Sequence, residues 1–135
     1  MELTRVFADW LGAIITTDGT YADTVDSLAE GDTKAPDRVT VAWREEDNRR
    51  IAGGLREVDL VAEIAVPTGT DLVATARAFQ KWLETQVTTA NYTALKTAHD
   101  TATGDDLQDW FFGDGESDSD RDDYRYLQAW RIWVS

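Results

Sequence analysis

Apolar residues recur at helical spacing in two segments of the chain. Residues 3–16 place an apolar side chain at every third or fourth position, which predicts an amphipathic helix that ends near Gly19. Residues 71–89 show the same spacing, with charged residues on the other faces. Each pattern predicts a helix with one buried face.

Alternation of apolar and polar residues predicts three strands. They cover residues 39–43, residues 55–66 and residues 124–134. In the last strand both parities carry apolar side chains, so we expect both of its faces to be at least partly covered. Residues 107–112 fit either a strand or a short helix.

The remaining segments show no clear period. Residues 18–38 are polar and are predicted to contain at most a short helix at 22–28. Residues 45–50 are predicted to be a charged connection, and residues 113–123 an acidic low-complexity loop. Residues 90–106, rich in Thr, Ala and Asp, fit neither a helix nor a strand pattern.

The order and spacing of these elements predict an α+β fold. A chain of 135 residues is the usual size of one domain, so we expect a single domain over residues 1–135. Strands joined through short turns favour an antiparallel or mixed sheet with helices packed on one face. No apolar run approaches the roughly 18 residues that span a bilayer, so no membrane partner is expected.

The charge balance is strongly acidic. The chain has 26 Asp and Glu against 13 Lys and Arg, with 18 Asp and only 3 Lys. Binding of nucleic acid through a phosphate-neutralising surface is excluded, because that mode needs clustered basic residues. An acidic, lysine-poor and threonine-rich composition is similar to that of haloarchaeal proteins. In molar salt the Debye length is about 3 Å, which screens the repulsion between surface carboxylates.

The acidic loop contains a partial calcium-binding pattern. Asp118, Asp120 and Asp122 follow the 1-3-5 spacing of an EF-hand, but Asp123 stands where the motif needs Gly. Ala129 stands where it needs Glu, so the EF-hand interpretation fails. A looser cation site and a solvated hairpin tip both remain open.

The sequence offers little that would support catalysis. His99 is the only histidine, there is no cysteine, and no glycine-rich phosphate loop is present. Acidic residues are so frequent that no carboxylate pair stands out as a general acid and base. We therefore predict no enzyme activity, no catalytic or metal-binding residues and no cofactor.

Aromatic residues crowd the last third of the chain. Trp130 and Trp133 lie on opposite parities of the closing strand, so both cannot face one core. One of them is expected to meet a neighbouring element or a neighbouring subunit. Tryptophan is enriched at interface hot spots, so the predicted subunit-interface residues are Trp110, Phe111, Phe112, Trp130 and Trp133.

The order of elements resembles that of the tail-terminator, or tail-completion, proteins of long-tailed phages and archaeal tailed viruses. The likeness covers the whole chain: an amphipathic helix, a strand, a Gly-Gly turn, a long strand, a helix and a closing strand. It implies a ring, commonly a hexamer, that caps the tail tube protein and joins it to the head–tail connector. With the composition, it implies a virion protein of a haloarchaeal virus, assembled in the host cytoplasm.

The resemblance also implies how the ring meets its partners. DNA would pass through an acidic lumen without sequence-specific binding, because the lumen repels phosphates. Two charged loops are then the expected docking elements for tail tube and connector, with the residues Arg44, Glu45, Glu46, Asp47, Arg49, Arg50, Asp118, Asp120 and Asp122. Another neck or connector protein, a soluble halophilic α+β binding module and a small enzyme are the alternative interpretations.

Overall fold

The computed structural model describes residues 2–67, 71–117 and 124–135, which form a five-stranded mixed sheet and three helices. The α+β class predicted from the sequence is confirmed. The elements in chain order are α1 (Leu3–Asp18), β1 (Val25–Leu28), β2 (Val39–Ala52), β3 (Leu55–Ala65), α2 (Val73–Thr85), α3 (Thr89–Thr103), β4 (Leu107–Ser117) and β5 (Arg125–Val134).

The strand order in the sheet is β1-β2-β3-β5-β4. Only β1 and β2 run parallel, and the other neighbours are antiparallel. β1 is short and pairs with β2 only from Val39 to Ala42. β2 therefore continues beyond Trp43 with one edge that no strand of the described chain covers, and β4 forms the opposite edge of the sheet.

The core lies on one face of the sheet, where all three helices pack. The alternating residues Val58, Leu60, Ala62 and Ile64 of β3 point into it. From the helices it receives Phe7, Leu11, Phe79, Leu83 and Leu95. Because these helical residues recur at spacings of three or four, each helix presents one apolar stripe to the sheet.

Trp130 lies at the centre of an aromatic cluster in this core. It is 1% exposed, and its ring centroid lies 5.4 Å from that of Trp43 and 4.7 Å from that of Phe112. The other rings in contact with it are Phe7, Trp10 and Trp110. Edge-to-face and tilted arrangements of this kind add stability beyond the area buried.

Two helices end where glycine adopts a left-handed conformation. Gly19 has φ 85° and its N–H donates to the carbonyl of Ile15, which closes α1 near the predicted position. Gly104 closes α3 in the same way, with φ 77°. At the start of α3, the Thr88 hydroxyl accepts a hydrogen bond from the Asn91 N–H and so caps the helix.

Two segments without an apolar period turn out to be regular elements. The short helix expected at 22–28 is wrong, because β1 occupies Val25–Leu28 and is held by parallel pairing with β2. Four residues are too few to show alternation. Residues 90–106 contain most of α3, in which the structure buries only Leu95 and His99. That stripe is too narrow to stand out in the sequence.

The two predicted charged loops are also largely strand. Residues 45–50 continue β2 instead of forming a connection, because their backbone pairs with β3 and Arg49 meets carboxylates of that strand. Residues 113–117 belong to β4, so an acidic loop over 113–123 is wrong for that part. Residues 118–123 lie outside the described residues. Residues 107–112, whose pattern fits either a strand or a short helix, belong to β4.

Candidate interaction surface

The face of the sheet opposite the helices is covered by charged side chains. We call it the open face. Arginines from β2 and β5 lie beside carboxylates from β3, and this set comprises Arg44, Arg49, Arg125, Arg131, Glu57, Asp59 and Glu63. The register produces this arrangement, because Arg49 is opposite Glu57 and Arg131 is opposite Asp59.

Asp59 is held from both sides. Its carboxylate lies 2.6 Å from Nε of Arg131 and 3.2 Å from Nη2 of Arg49. The hydrogen bond from Arg131 lowers the pKa of Asp59 below its ordinary value, and the charges of both arginines act in the same direction. The carboxylate thus stays ionised at neutral pH and links β2, β3 and β5.

Glu63 and Glu57 are the most deeply placed carboxylates of the open face. Glu63 is 8% exposed and lies 3.5 Å from Arg44 and 3.2 Å from Arg125. Glu57 contacts Arg49 and accepts a hydrogen bond from Nε1 of Trp133 at 3.1 Å. Such carboxylates persist at low exposure only when cations and donors compensate their lost hydration.

The structure separates the five aromatic residues predicted at a subunit interface. Phe111 and Trp133 lie on the open face, where Phe111 is opposite Arg131 and is 57% exposed. Trp110 and Phe112 are half-buried against the core, on the opposite face of β4. Trp130 is inside the core, so its side chain is not on the surface of the subunit.

β2 places the predicted docking residues of the first charged segment on different faces of the sheet. Arg44, Asp47 and Arg49 contribute to the open face through the register with β3. Glu45 is opposite the buried Leu60, on the side of the helices, and a register shift follows at Glu46. Arg50 lies near the end of the strand, opposite Arg56. Asp118, Asp120 and Asp122 lie outside the described residues.

Side chains of α3 cover the beginning of the β4 edge. Asp100 accepts a hydrogen bond from the Leu107 N–H at 2.8 Å, and Lys96 donates to the Leu107 carbonyl at 3.0 Å. Burial acts to raise the pKa of Asp100, but hydrogen bonds from Lys96, His99 and Leu107 outweigh it and hold the pKa at about 2. This cluster therefore fastens α3 to the sheet.

His99 belongs to that fastening cluster. The only histidine of the chain is 2% exposed, and its Nδ1 lies 2.9 Å from Oδ1 of Asp100. A carboxylate only accepts hydrogen bonds, so Nδ1 carries the proton. The local hydrogen bond explains why a buried imidazole is tolerated at this position.

A groove of about 690 Å³ separates the outer surfaces of α1 and α3. Its walls are mostly apolar, with Trp10 and Ile14 from α1 and Ala94 and Ala98 from α3. The sequence did not indicate this groove, because it depends on how α3 packs beside α1. The open face had a detectable signal: β3 and β5 carry opposite charges on the same parity.

Comparisons with protein-family models and with curated proteins give no match to the chain. Among residues 2–67, 71–117 and 124–135, no three His, Asp or Glu side chains are grouped to hold a metal ion. Within the same ranges, no helix combines the length and apolar character needed to cross a bilayer.

Proposed function

We propose that the chain is a structural virion protein that assembles into a ring, caps the tail tube and joins it to the head–tail connector. The proposal starts from the resemblance in element order to tail-terminator proteins. The amphipathic α1, the β2–β3 hairpin, α2 and the closing strand β5 occur in that order in the fold. β1 is inserted between α1 and β2, and α3 and β4 are inserted between α2 and β5.

The observation that carries the proposal is the open face. In the part of the chain that the structure describes, no helix covers this side of the sheet, and Phe111 projects from it beside Arg131 and Trp133. Trp and Arg are enriched among residues that dominate binding energy. We place a contact with a neighbouring subunit or a tail protein on this face.

The acidic composition supports a ring around DNA. A net charge of −13 on each subunit repels phosphates from a lumen and so prevents the genome from adhering to it. The same charge keeps the surface hydrated in concentrated salt. Both properties suit a virion protein of a host that accumulates molar KCl.

The test is co-assembly with the tail tube protein of the same virus in molar KCl. We expect the wild-type chain to bind the ends of tail tubes, where negative-stain images show a ring-shaped cap. Phe111→Asp should abolish binding without unfolding the chain, since its side chain is exposed. Ala78→Asp, an equally charged change at an exposed position of α2, is the control. A wild-type chain that neither forms rings nor binds tail tubes contradicts the proposal.

A further inference from the structure

The hairpin between β2 and β3 ends in two opposed arginines. We call residues 50–56 the hairpin tip. Arg50 and Arg56 are direct cross-strand partners. Arg50 donates to the Gly53 carbonyl at 2.7 Å, and Arg56 donates to the side-chain oxygen of Asn48 at 2.8 Å. Neither forms an ion pair within the described part of the chain, although acidic residues outnumber basic ones twofold.

This arrangement works against the stability of the isolated subunit. Like charges directly opposite each other on neighbouring strands destabilise a sheet. Ile51 lies next to Arg50 and is 48% exposed, one of two large apolar side chains with such exposure among the described residues. An exposed apolar residue next to two opposed guanidinium groups without an ion-pair partner in the described chain suits docking on an apolar surface with acidic margins.

The groove between α1 and α3 has the complementary composition. Trp10 and Ile14 supply apolar walls, whereas Asp18 and Asp9, which also pairs with Arg5 at 3.1 Å, contribute carboxylates. None of its lining residues is basic. Both carboxylates are on exposed positions of α1, about two and a half helical turns apart. The groove is therefore able to receive an apolar side chain and to attract cations at its margins.

We infer that the hairpin tip of one copy docks into the groove between α1 and α3 of a second copy. Ile51 enters the apolar groove, and Arg50 and Arg56 meet Asp9 and Asp18. The occupant is a second copy because the same chain carries both complementary surfaces. The inference deepens the proposed function, on which it rests for the expectation of a closed ring.

The geometry of such a contact suits ring formation. The tip and the groove are different surfaces, so every copy offers one of each, and the contact is head-to-tail. Head-to-tail contacts close into rings when the rotation between copies allows it. In molar salt the attraction between distant exposed charges is screened, whereas ion pairs buried by the contact are screened much less. Ile51 and the two arginines therefore both contribute to the affinity, and the arginines also set the orientation.

Charge reversal tests the contact directly, with the full chain in molar KCl and mass measured by sedimentation. The double variant Arg50→Glu/Arg56→Glu and the double variant Asp9→Arg/Asp18→Arg should each lose the oligomer. Mixing the two variants should restore it, because each reversed tip then finds a matching groove. The quadruple variant should assemble alone. Lys34→Glu/Lys81→Glu, at exposed positions outside both surfaces, gives the same change in net charge as the reversed tip and should assemble normally.

The apolar part of the contact has its own variant. Ile51→Ala should raise the dissociation constant about tenfold, because it removes most of a buried aliphatic side chain. Circular dichroism of each variant verifies folding. If the variant Asp9→Arg/Asp18→Arg does not fold, Asp9→Asn/Asp18→Asn replaces it. This milder variant should also weaken assembly.

Several results would overturn the inference. A wild-type chain that stays monomeric at all concentrations excludes the self-contact, while binding to tail tubes still decides the proposed function. If both charge-reversed variants still form rings, this contact is excluded, but the proposed ring is not. If the reversed tip keeps the oligomer but no longer binds the tail tube, the tip belongs to the tail tube contact instead.

Discussion

Arg131 of β5 lies directly opposite Asp59 of β3 on the open face, with its Nε 2.6 Å from the carboxylate. Arg49 reaches the same carboxylate from β2, on the other side of β3. Asp59, near the middle of the sequence, thus links β2 from the first half of the chain to β5 at its end. This relationship explains how a sheet face without helices is held together by charges.

We expect the Asp59–Arg131 pair to contribute measurable coupling. Asp59→Asn and Arg131→Gln should each lower the free energy of unfolding by about 1 kcal/mol, and the double variant by less than their sum. Coupling of roughly 0.5–1 kcal/mol is expected, since both side chains are partly exposed. Urea unfolding of the four proteins measures it. Additive effects would show that the two side chains lie close together without stabilising each other.

The two tryptophans of β5 should respond differently to truncation. Trp130→Ala removes the centre of the aromatic cluster and should cost about 3–5 kcal/mol of folding free energy. Trp133→Ala removes a half-buried ring and its hydrogen bond to Glu57, so a cost below about 2 kcal/mol is expected. Denaturant unfolding measures the folding free energy lost in each variant. For Trp133→Ala, the loss of assembly free energy should exceed the loss of folding free energy. Equal destabilisation by both would contradict this assignment.

Asp100 should make the fold sensitive to acid. Its folded-state pKa of about 2 lies below the value near 3.9 expected for an unfolded chain. The ionised form is therefore favoured by folding, and this stabilisation is complete above pH 4 and is lost as the pH falls from about 4 to 2. Asp100→Asn should lower stability at pH 7 by about 1–2 kcal/mol. The variant should also lose less stability than the wild type between pH 4 and pH 2, which urea unfolding midpoints measure. An unchanged loss of stability would show that other carboxylates cause it.

Stability should rise with salt concentration. Surface carboxylates far outnumber the cations available to pair with them, and their repulsion is screened as the Debye length shortens. We expect Tm to increase from low to molar KCl. A thermal scan followed by circular dichroism measures this, with a lysine-rich protein of ordinary composition as the control. A constant Tm would contradict the halophilic interpretation.

The elements with strong apolar periods were predictable. α1, α2, β3 and β5 each bury one face, so their apolar residues recur with the period of the element. β1 was not predictable, because four residues show no period and their pairing depends on β2. The charged half of β2 was missed because Arg44 and Arg49 find their ion-pair partners on β3, and no local pattern connects those residues.

The sequence by itself determined the α+β class, the four strongly periodic elements, the acidic surface and the concentration of aromatic residues near the end of the chain. These follow from local period and composition. Only the tertiary structure decided which face of β5 is core, and therefore that the buried tryptophan is Trp130 and not Trp133. It also decided the Arg50–Arg56 opposition and the groove between α1 and α3. Strand register and helix packing bring together residues that are distant in sequence, and no local pattern specifies those pairings.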